Sequence, residues 1–489
     1  MEEVTLAQIL EARENRVREQ HHLLERYGQP LICFTMNIPG PVKNTALIRR
    51  AFFEGCDALD HRLPRDRVLH RETRCNVTGC EAMYVVSMDA GSLKEICTDL
   101  EEGTALGRLF DMDVLDRNGC KLERVGARGC LVCGAPGRGC ASQRTHSVPE
   151  LQKAVRDIMT GYFAQKDARQ IGAWATASLL DEVCTTPKPG LVDCRNNGSH
   201  RDMDLFTFLA SAAALSPYFE RCARIGQDTA ACAPEETFRI LKGAGLQAER
   251  DMYEATKGIN THKGAIFTMG LLCGAAGRLW KPEGGWEPEA LFCQVSAMAS
   301  QAQWDSPETV GQRLYARYGI RGIRGEAARG LPAVAKIGLP VFRACLEKGL
   351  DRNHAGAVTL LHLIARVEDT NMISRGGLEG AKEGAARAAA LLKRETYPAR
   401  EQMEALDDWF IERNLSPGGC ADLLSAVYFV DRLLRQDLRN LTNICRVRIY
   451  PERNLKGQSR TEKTQNVRNS YAFFTTGVPI QSHKGFLKM

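Results

Sequence analysis

The chain has 489 residues, of which 44% are hydrophobic and 25% are charged. This composition is typical of a folded globular protein with two or three domains, and it excludes a chain that is disordered along most of its length. The net charge of +6 comes from 65 basic and 59 acidic residues spread through the sequence, which gives little support for nucleic-acid binding but permits a local basic cleft for small polyanions.

Export and membrane signals are missing from the sequence pattern. No segment approaches the roughly 20 consecutive apolar residues that cross a bilayer, and residues 1–14 have an acidic helical pattern instead of a signal sequence. We therefore expect a cytoplasmic protein that does not associate with membranes. Eighteen cysteines without an export signal predict free or metal-bound thiols, and so we expect no structural disulfide.

The first part of the chain alternates between helical and strand patterns. Apolar residues recur at helical spacing from Leu6 to Leu24, and the apolar run that follows is typical of a strand. The predicted elements are strands at 31–36, 82–88 and 108–115 and helices at 45–59 and 93–100. Residues 1–165 are therefore predicted to form an α+β domain.

Two carboxylates mark the last of these strands. Asp111 and Asp113 lie two residues apart, so both side chains project from one face of the strand. A Mg²⁺ ion held by two carboxylates and by substrate phosphates fits that arrangement, and a solvated strand face fits it equally well. In the loop at 40–44, Lys43 precedes a predicted helix and is a candidate phosphate ligand.

Three segments around this pair resemble a known family. They read RLFDMDVLD at 108–116, RGCLVC at 128–133 and CASQRTHS at 140–147, and they are similar to holo-citrate lyase synthase. The resemblance covers residues 1–165 and implies a nucleotidyltransferase-like domain in which Asp111 and Asp113 are catalytic and hold the metal. It further implies transfer of a phosphoribosyl-dephospho-CoA group to a serine of the citrate lyase acyl carrier protein, the γ subunit, with release of diphosphate.

A group of cysteines follows the carboxylates. Cys130, Cys133, Cys140 and His146 have the spacing C-x2-C-x6-C-x5-H, which offers four zinc ligands. The last intervals are irregular for a zinc module, which favours the alternative of reduced thiols beside a phosphate-facing loop. Both interpretations stay open at this point.

Helical patterns dominate after Ser147. Ser147 and Glu150 form a capping box that predicts a helix start. The helices predicted beyond it lie near 166–183, 204–222, 235–257, 263–279, 322–347, 354–368, 379–395 and 416–436. Residues 166–445 are therefore predicted to form an all-α multi-helix domain, and 446–489 a basic tail without a sustained pattern.

Polar motifs interrupt the predicted helices at several points. Each has a structural explanation as a helix cap or a helix stop. As a set, TPKPGLVD at 186–193, NTHKG at 260–264 and SPGG at 416–419 resemble triphosphoribosyl-dephospho-CoA synthase. The resemblance covers about 166–437 and implies synthesis of 2'-(5''-triphosphoribosyl)-3'-dephospho-CoA from ATP and 3'-dephospho-CoA, with release of adenine.

That reaction needs phosphate ligands, metal ligands and a base. Its residues are predicted at inward-facing helix positions and at helix termini, because a helical domain has no strand ends on which to build a site. The predicted binding residues are Lys188, Asn260, Thr261, Lys263, Arg375, Gly418 and Gly419. The predicted acids and bases are Asp202, Glu249 and His262, and the predicted metal ligands are Asp204 and Asp369.

The two resemblances together predict one bifunctional transferase, because the product of the second domain is the substrate of the first. Linking the two domains raises the local concentration of that intermediate. Two alternatives remain: a carrier-modifying enzyme of the malonate decarboxylase type, and a non-catalytic zinc-containing protein that binds nucleic acid or acts as a scaffold. The sequence leaves open which carboxylate is the base and how many chains assemble.

Overall fold

A computed structural model of the chain describes residues 2–443, apart from Val125, Ala127, Pro136 and residues 301–318. The predicted tail at 446–489 lies outside the described residues. Within the described part, a small antiparallel sheet with its helices is followed by a region whose regular elements are helical. The predicted order of an α+β part and an all-α part is confirmed at this level.

The sheet has four strands in the order β2-β3-β1-β4, and all neighbouring strands pair antiparallel. Its elements are α1 (Leu6–Tyr27), β1 (Leu31–Met36), α2 (Ala46–Arg62), β2 (Val68–Asn76), β3 (Gly79–Val86), α3 (Ala90–Glu102), a 3₁₀ turn (Leu106–Leu109), β4 (Phe110–Leu115) and α4 (Gly137–Gln143). The sequence missed β2, because this edge strand contains mainly polar residues and lacks a fully buried position.

The two faces of the sheet pack against different helices. Phe34 of β1 and Met112 of β4 belong to the apolar core with α2 and α3, whereas Cys33 packs in a smaller cluster with Leu23 and Leu24 of α1. Because side chains alternate along a strand, the residues between Phe110, Met112 and Val114 must face the other way. Asp111 and Asp113 therefore share the face that α1 partly covers.

One cysteine pair contradicts the expectation of no disulfide. Cys75 and Cys80 are bonded to each other across the turn that joins β2 to β3, with their Cα atoms 4.0 Å apart. The two residues are direct partners in the strand register, which brings their side chains together. The expectation was wrong because it rested on the cellular compartment, whereas the hairpin register sets this distance locally.

A single long helix, α5 (Val148–Cys184), connects the two parts. Ser147 caps it with the predicted capping box to Glu150. Met159 and Phe163, in its first half, pack in the core of the sheet, and Ile171 and Leu179, in its second half, pack in the helical core. The predicted domain boundary at 165/166 therefore falls inside a continuous helix, and the division itself stays a prediction.

The helical part continues with α6 (Leu205–Asp228), α7 (Pro234–Ala255), α8 (Lys263–Arg278), α9 (Pro288–Ala299), α10 (Gly322–Ala328), a π turn (Ala333–Gly338), α11 (Leu339–Glu347), α12 (Arg352–Ile364), α13 (Thr370–Arg394), α14 (Arg400–Glu412) and α15 (Gly418–Asn443). One apolar core joins them. The helix predicted at 322–347 is interrupted, because Gly330 and Leu331 have positive φ angles there.

Candidate active sites

A cavity of about 1520 Å³ opens in the helical part. Residues from sequence positions as far apart as 182 and 423 line it. The lining includes most of the residues predicted for this domain, namely Lys188, Asp202, Glu249, Asn260, Thr261, His262, Lys263, Asp369, Arg375, Gly418 and Gly419. The fold thus brings together three motifs, of which the first and the last are more than 200 positions apart in the sequence.

Asp204 is placed differently from the other predicted residues. Its carboxylate caps α6 and accepts a hydrogen bond from the backbone N–H of Thr207 at 2.8 Å. Asp204 does not belong to the residues that line the cavity. The structure therefore gives it a capping contact, and its role as a metal ligand stays a prediction.

Several of the described helices begin at the cavity wall. Lys263 opens α8, Thr370 opens α13 and Gly418 opens α15, and all three residues line the cavity. The first N–H groups of a helix carry partial positive charge and have no partner within the helix, so they attract anions. The cavity wall is therefore suited to a polyphosphate.

Asp369 holds two of these helix starts together. Its Oδ1 accepts from the backbone N–H groups of Asn371 at 2.8 Å and Met372 at 3.0 Å, and its Oδ2 accepts from Cys420 N at 2.7 Å. Burial raises the pKa of this carboxyl, although the three amides oppose the rise. A Cβ at 419 would lie 3.0 Å from Asp369 Oδ2, so any residue larger than glycine there would push on this carboxylate.

A second carboxyl, Asp422, lies beside the start of α8. A Cβ at Gly264 would overlap its Oδ2, which explains the glycine that ends the NTHKG motif. The pKa of Asp422 is raised well above its usual range, first by loss of solvation and then by the neighbouring charges of Glu182 and Asp369. A carboxyl with a raised pKa that faces a cavity is suited to proton transfer.

Lys188 and Glu182 form a buried ion pair at the same wall, and Lys188 is only 1% exposed. The backbone N–H of Lys188 donates to Asp193 at 2.9 Å, and the N–H of Gly190 donates to Asp407 at 2.8 Å. A side chain at Gly190 would overlap a backbone carbonyl, and its φ of 70° favours glycine. The TPKPGLVD motif is thus a rigid loop that presents one lysine to the cavity.

His262 is buried with an unpartnered nitrogen. Its Nδ1 lies 2.7 Å from Ser211 Oγ, and its Nε2 has no hydrogen-bond partner. Burial, and next the charge of Lys188, lowers the pKa of the ring to about 3, so the imidazole is neutral at physiological pH. Ser211 Oγ accepts a hydrogen bond from Thr261 Oγ1 at 2.8 Å. When the Ser211 hydroxyl donates to Nδ1, the ring proton lies on Nε2, the nitrogen without a partner.

The remaining predicted cations already have partners. Lys263 Nζ lies 2.8 Å from Glu249 Oε2. Arg375 donates to the carbonyl of Ser199 and to Asn414 Oδ1, the latter at 2.6 Å, and so it joins two loops at the rim. Lys263 and Arg375 therefore give the cavity wall positive charge, and their contacts also hold parts of that wall in place.

Sequence reasoning missed several residues of the lining. Glu182 lies four residues before the TPKPGLVD motif and Asp422 lies three residues after the SPGG motif. The sequence assigns them no role, because nothing in their local pattern distinguishes them from helix-surface acids. The missed cations are Arg321, Arg324, Arg329, Lys336 and Arg366. Four of them lie in the region 321–336, where the predicted helix is interrupted, and Arg366 follows the end of α12. None of the five belongs to a motif, and only the fold shows that they face the same space.

The second candidate site lies on the sheet. Asp111 and Asp113 share one face of β4, as predicted, opposite Thr35 and Cys33 of β1. Asp113 Oδ1 lies 2.7 Å from Lys121 Nζ. Although the side chain of Asp111 reaches solvent, partial desolvation and then the charge of Asp113 raise its pKa, as expected for two adjacent carboxylates.

Lys43 lies at the same end of the sheet as Asp111. Its loop follows β1, whose last residue, Met36, pairs with Phe110 at the start of β4. The Lys43 ammonium donates to the carbonyl of Ile38 within the loop, and no described contact joins it to either aspartate. Burial lowers the pKa of Lys43, with a smaller effect from the charge of Arg13.

The segment after β4 returns to the sheet through two arginines. Arg128 Nη1 donates to the carbonyl of Phe110 at 2.6 Å, and its Nη2 lies 2.5 Å from the buried carboxylate of Glu101. Arg108 donates to Gly129 O at 2.8 Å. These contacts hold the positive charge of Arg128 close enough to Asp111 to lower the pKa of that carboxyl, against the larger effects that raise it. The Cys130, Cys133, Cys140 and His146 side chains converge just beyond this point.

Comparison with known proteins identifies both parts of the chain. Residues 168–440 match the family described as ATP:dephospho-CoA triphosphoribosyl transferase, and residues 4–162 match apo-citrate lyase phosphoribosyl-dephospho-CoA transferase. The matches confirm both resemblances seen in the sequence. They favour the citrate lyase interpretation over the malonate decarboxylase type and over a non-catalytic zinc protein.

Relatives with both parts in one chain are similar over nearly their whole length. Protein CitXG of Haemophilus influenzae is 35% identical over 450 residues, which are 87% of this chain and 96% of the relative. Protein CitXG of Leuconostoc mesenteroides subsp. cremoris is 30% identical over 462 residues, which are 88% of this chain and 98% of the relative.

A relative of the helical part alone is also similar. The 2-(5''-triphosphoribosyl)-3'-dephosphocoenzyme-A synthase of Klebsiella pneumoniae is 44% identical over 273 residues, which are 54% of this chain and 90% of the relative. The chain therefore belongs to two transferase families, apo-citrate lyase phosphoribosyl-dephospho-CoA transferase through residues 4–162 and ATP:dephospho-CoA triphosphoribosyl transferase through residues 168–440.

Proposed function

We propose that this chain is a bifunctional transferase that makes 2'-(5''-triphosphoribosyl)-3'-dephospho-CoA from ATP and 3'-dephospho-CoA, and then loads the citrate lyase acyl carrier protein. The observation that carries the proposal is the single cavity into which the three motifs of the helical part converge. Both family matches support it. We assign the first reaction to residues 166–445 and the second to residues 1–165.

The first reaction exchanges bonds at one carbon of ATP. The 2'-hydroxyl oxygen of dephospho-CoA bonds to the ribose C1, the bond from C1 to adenine breaks, and the hydroxyl proton passes to a base. The triphosphate is carried through unchanged, so the site must bind it without cleaving it. Lys188, Lys263 and the helix starts at 263, 370 and 418 supply positive charge for that purpose.

Two cavity residues have the chemistry for the bond exchange. Asp422 has the raised pKa expected of a base that accepts the hydroxyl proton. His262 is neutral and its Nε2 has no partner, so in the tautomer that carries the proton on Nε2 it is suited to donate a hydrogen bond to the departing adenine. This assignment makes His262 a neutral donor and not a cationic phosphate ligand.

The second reaction transfers a phosphoryl group. The serine hydroxyl of the carrier protein attacks the phosphorus next to the ribose, and the bond to the two outer phosphates breaks to release diphosphate. The paired carboxylates of Asp111 and Asp113 and the nearby Arg128 form the charged face for this step. We propose a nucleotidyltransferase-like role for this domain, with Lys43 on the phosphate side.

Magnesium fits the donor set of both sites. When bound, Mg²⁺ neutralises phosphate charge and withdraws electrons from the leaving diphosphate. Asp111 and Asp113 would hold it on the sheet. In the cavity the proposed ligands are Asp202 and Glu249, and Glu249 would exchange its contact with Lys263 for the ion. Asp369 is a weaker candidate, because three backbone N–H groups already occupy its carboxylate.

One assay tests both activities in the intact chain. The purified protein is incubated with ATP, Mg²⁺ and dephospho-CoA, with and without the apo carrier protein, while adenine, diphosphate and carrier mass are followed. Adenine release that needs only the two nucleotides, and diphosphate release that also needs the carrier, is the expected result. A chain that releases no adenine and leaves the carrier unmodified when given the ready-made intermediate contradicts the proposal.

A further inference from the structure

Four soft metal ligands meet in the segment between β4 and α5. The Sγ atoms of Cys130, Cys133 and Cys140 and a ring nitrogen of His146 all lie within 4.8 Å of one another. Cys133 Sγ is 3.5 Å from Cys140 Sγ and 3.2 Å from His146 Nε2. Among the described residues, this is the group that brings three or more potential metal ligands so close together.

The spacing of these atoms has a direct chemical meaning. Bonded sulfur atoms are separated by about 2.0 Å, so Cys133 and Cys140 are not a disulfide. Around a tetrahedral zinc ion, with Zn–S near 2.3 Å and Zn–N near 2.0 Å, neighbouring ligand atoms lie about 3.5 to 3.8 Å apart. The four side chains are therefore close to the arrangement that a tetrahedral ion requires.

The backbone around Cys130 supports the same arrangement. The chain reverses between Cys130 and Ala135, with Gly134 N donating to Cys130 O at 3.1 Å and Cys130 N donating to Ala135 O at 2.6 Å. Gly134 has a φ of 74°, which other residues rarely adopt. Val132 N lies 3.4 Å from Cys130 Sγ and so partners the sulfur. A turn with amide donors to a thiolate is a typical outer shell for a metal ligand.

The irregular spacing also has a structural explanation. The six residues between Cys133 and Cys140 include the start of α4, whose short helix turns Cys140 back toward the first pair. His146 directly precedes Ser147, which caps α5. The interval between the last two ligands is therefore set by the connection between α4 and α5, and not by a zinc-binding sequence pattern.

We propose that Cys130, Cys133, Cys140 and His146 bind one structural zinc ion. Three thiolates and an imidazole fill the four positions of a tetrahedral site and leave none for substrate, so the ion has a structural role and not a catalytic one. This goes beyond the proposed function, which uses none of the four residues.

The consequence of the ion is to fix Arg128 beside the carboxylates of β4. Cys130 follows Arg128 by two positions, and the Arg128 guanidinium is held by Phe110 O and Glu101. The buried Glu101 also accepts from Met112 N at 2.8 Å within β4. Arg128 is thus a positioning link between the metal segment and the strand that carries Asp111.

Metal analysis of the full chain tests the proposal. Protein produced with zinc in the medium is expected to contain about one zinc per chain, and C133S and H146A are expected to lose most of it. Cys232 is an exposed free cysteine outside the cluster, and C232S should keep the wild-type content. Replacement of zinc by Co²⁺ should give the visible and sulfur charge-transfer absorption of a tetrahedral thiolate site.

Activity distinguishes this site from the proposed function. Chelation of zinc is expected to reduce carrier loading strongly while adenine release by the same chain continues, which also shows that the helical part remains folded. Protein that contains no stoichiometric zinc, or that contains a disulfide between Cys133 and Cys140 when isolated with zinc, overturns the proposal. Unchanged zinc content in both C133S and H146A does the same.

Discussion

Arg50 of α2 and Asp167 of α5 form an ion pair between the sheet part and the helical part, with Nη2 and Oδ1 2.6 Å apart. Trp280 donates to the other oxygen of Asp167 at 2.7 Å, and Arg50 also lies over the Phe163 ring at 4.0 Å. Asp167 is only 8% exposed, so the contacts with Arg50 and Trp280 replace the hydration that its carboxylate loses on folding.

Replacing Arg50 should destabilise the whole chain. R50A leaves Asp167 buried with one partner, and we expect the free energy of unfolding to fall by about 3 kcal/mol. Urea unfolding measures the change. R62A removes the exposed pair with Asp99 and should cost less than about 1 kcal/mol. Equal effects of the two substitutions would show that the Asp167 contacts do not join the two parts.

The carboxylates of β4 should be needed for one activity alone. D111N removes a negative charge from the face of β4 that carries Asp111 and Asp113. We expect carrier loading from the ready-made intermediate to fall at least about 100-fold. Adenine release should stay at the wild-type rate, because Asp111 lies outside the cavity. D99N, at an exposed helix position, is the control. Loss of both activities in D111N would indicate a folding defect instead.

Replacing Asp422 should reduce adenine release and leave carrier loading intact. D422N keeps the size of the side chain but removes the proposed base, and adenine release should fall by about 10² to 10⁴-fold. Carrier loading from supplied intermediate should continue, and D228N at the exposed end of α6 should behave as wild type. A D422N enzyme with full adenine release would exclude Asp422 as the base.

Gly264 gives a steric test of the same wall. G264A places a methyl group against the Asp422 carboxylate, so adenine release should fall although no charge has changed. The matched control is G243A in α7, where a Cβ meets no atom within 4 Å and should if anything stabilise the helix. Equal rates in the two variants would mean that Asp422 has room to move.

His262 should make the protein less stable in acid. Its pKa is about 3 in the folded chain and near 6.5 when unfolded, so the unfolded state binds the extra proton between these values. Stability therefore falls as the pH is lowered through that window, by up to about 1.4 kcal/mol per pH unit for this group. Urea unfolding between pH 4.5 and 6 should show a shallower dependence in H262Q, and an unchanged one in H21Q.

The sequence predicted the sheet strands and helices that have clear periodicity, and it missed those that do not. The 31–36 strand and the capped start of α5 follow from local patterns. The polar edge strand β2 and the Cys75–Cys80 pair depend on pairing with β3, which no local pattern reveals.

For the candidate cavity too, local sequence patterns revealed only some of the functional residues. The glycine-rich and lysine-containing motifs could be recognised because their conformations are unusual. The raised pKa of Asp422 and the neutral state of His262 depend on which distant side chains exclude water from these groups and place charges beside them. Those environments exist only after the helices have packed.

The shared helix α5 has 37 residues and is about 55 Å long. Between Phe163, which packs on the sheet, and Ala168, which packs in the helical core, there is no loop to absorb a change of length. Each inserted or deleted residue would turn one enzyme about the helix axis by about 100° relative to the other. Differences in length between relatives are therefore expected outside this short stretch, which should keep a constant residue count.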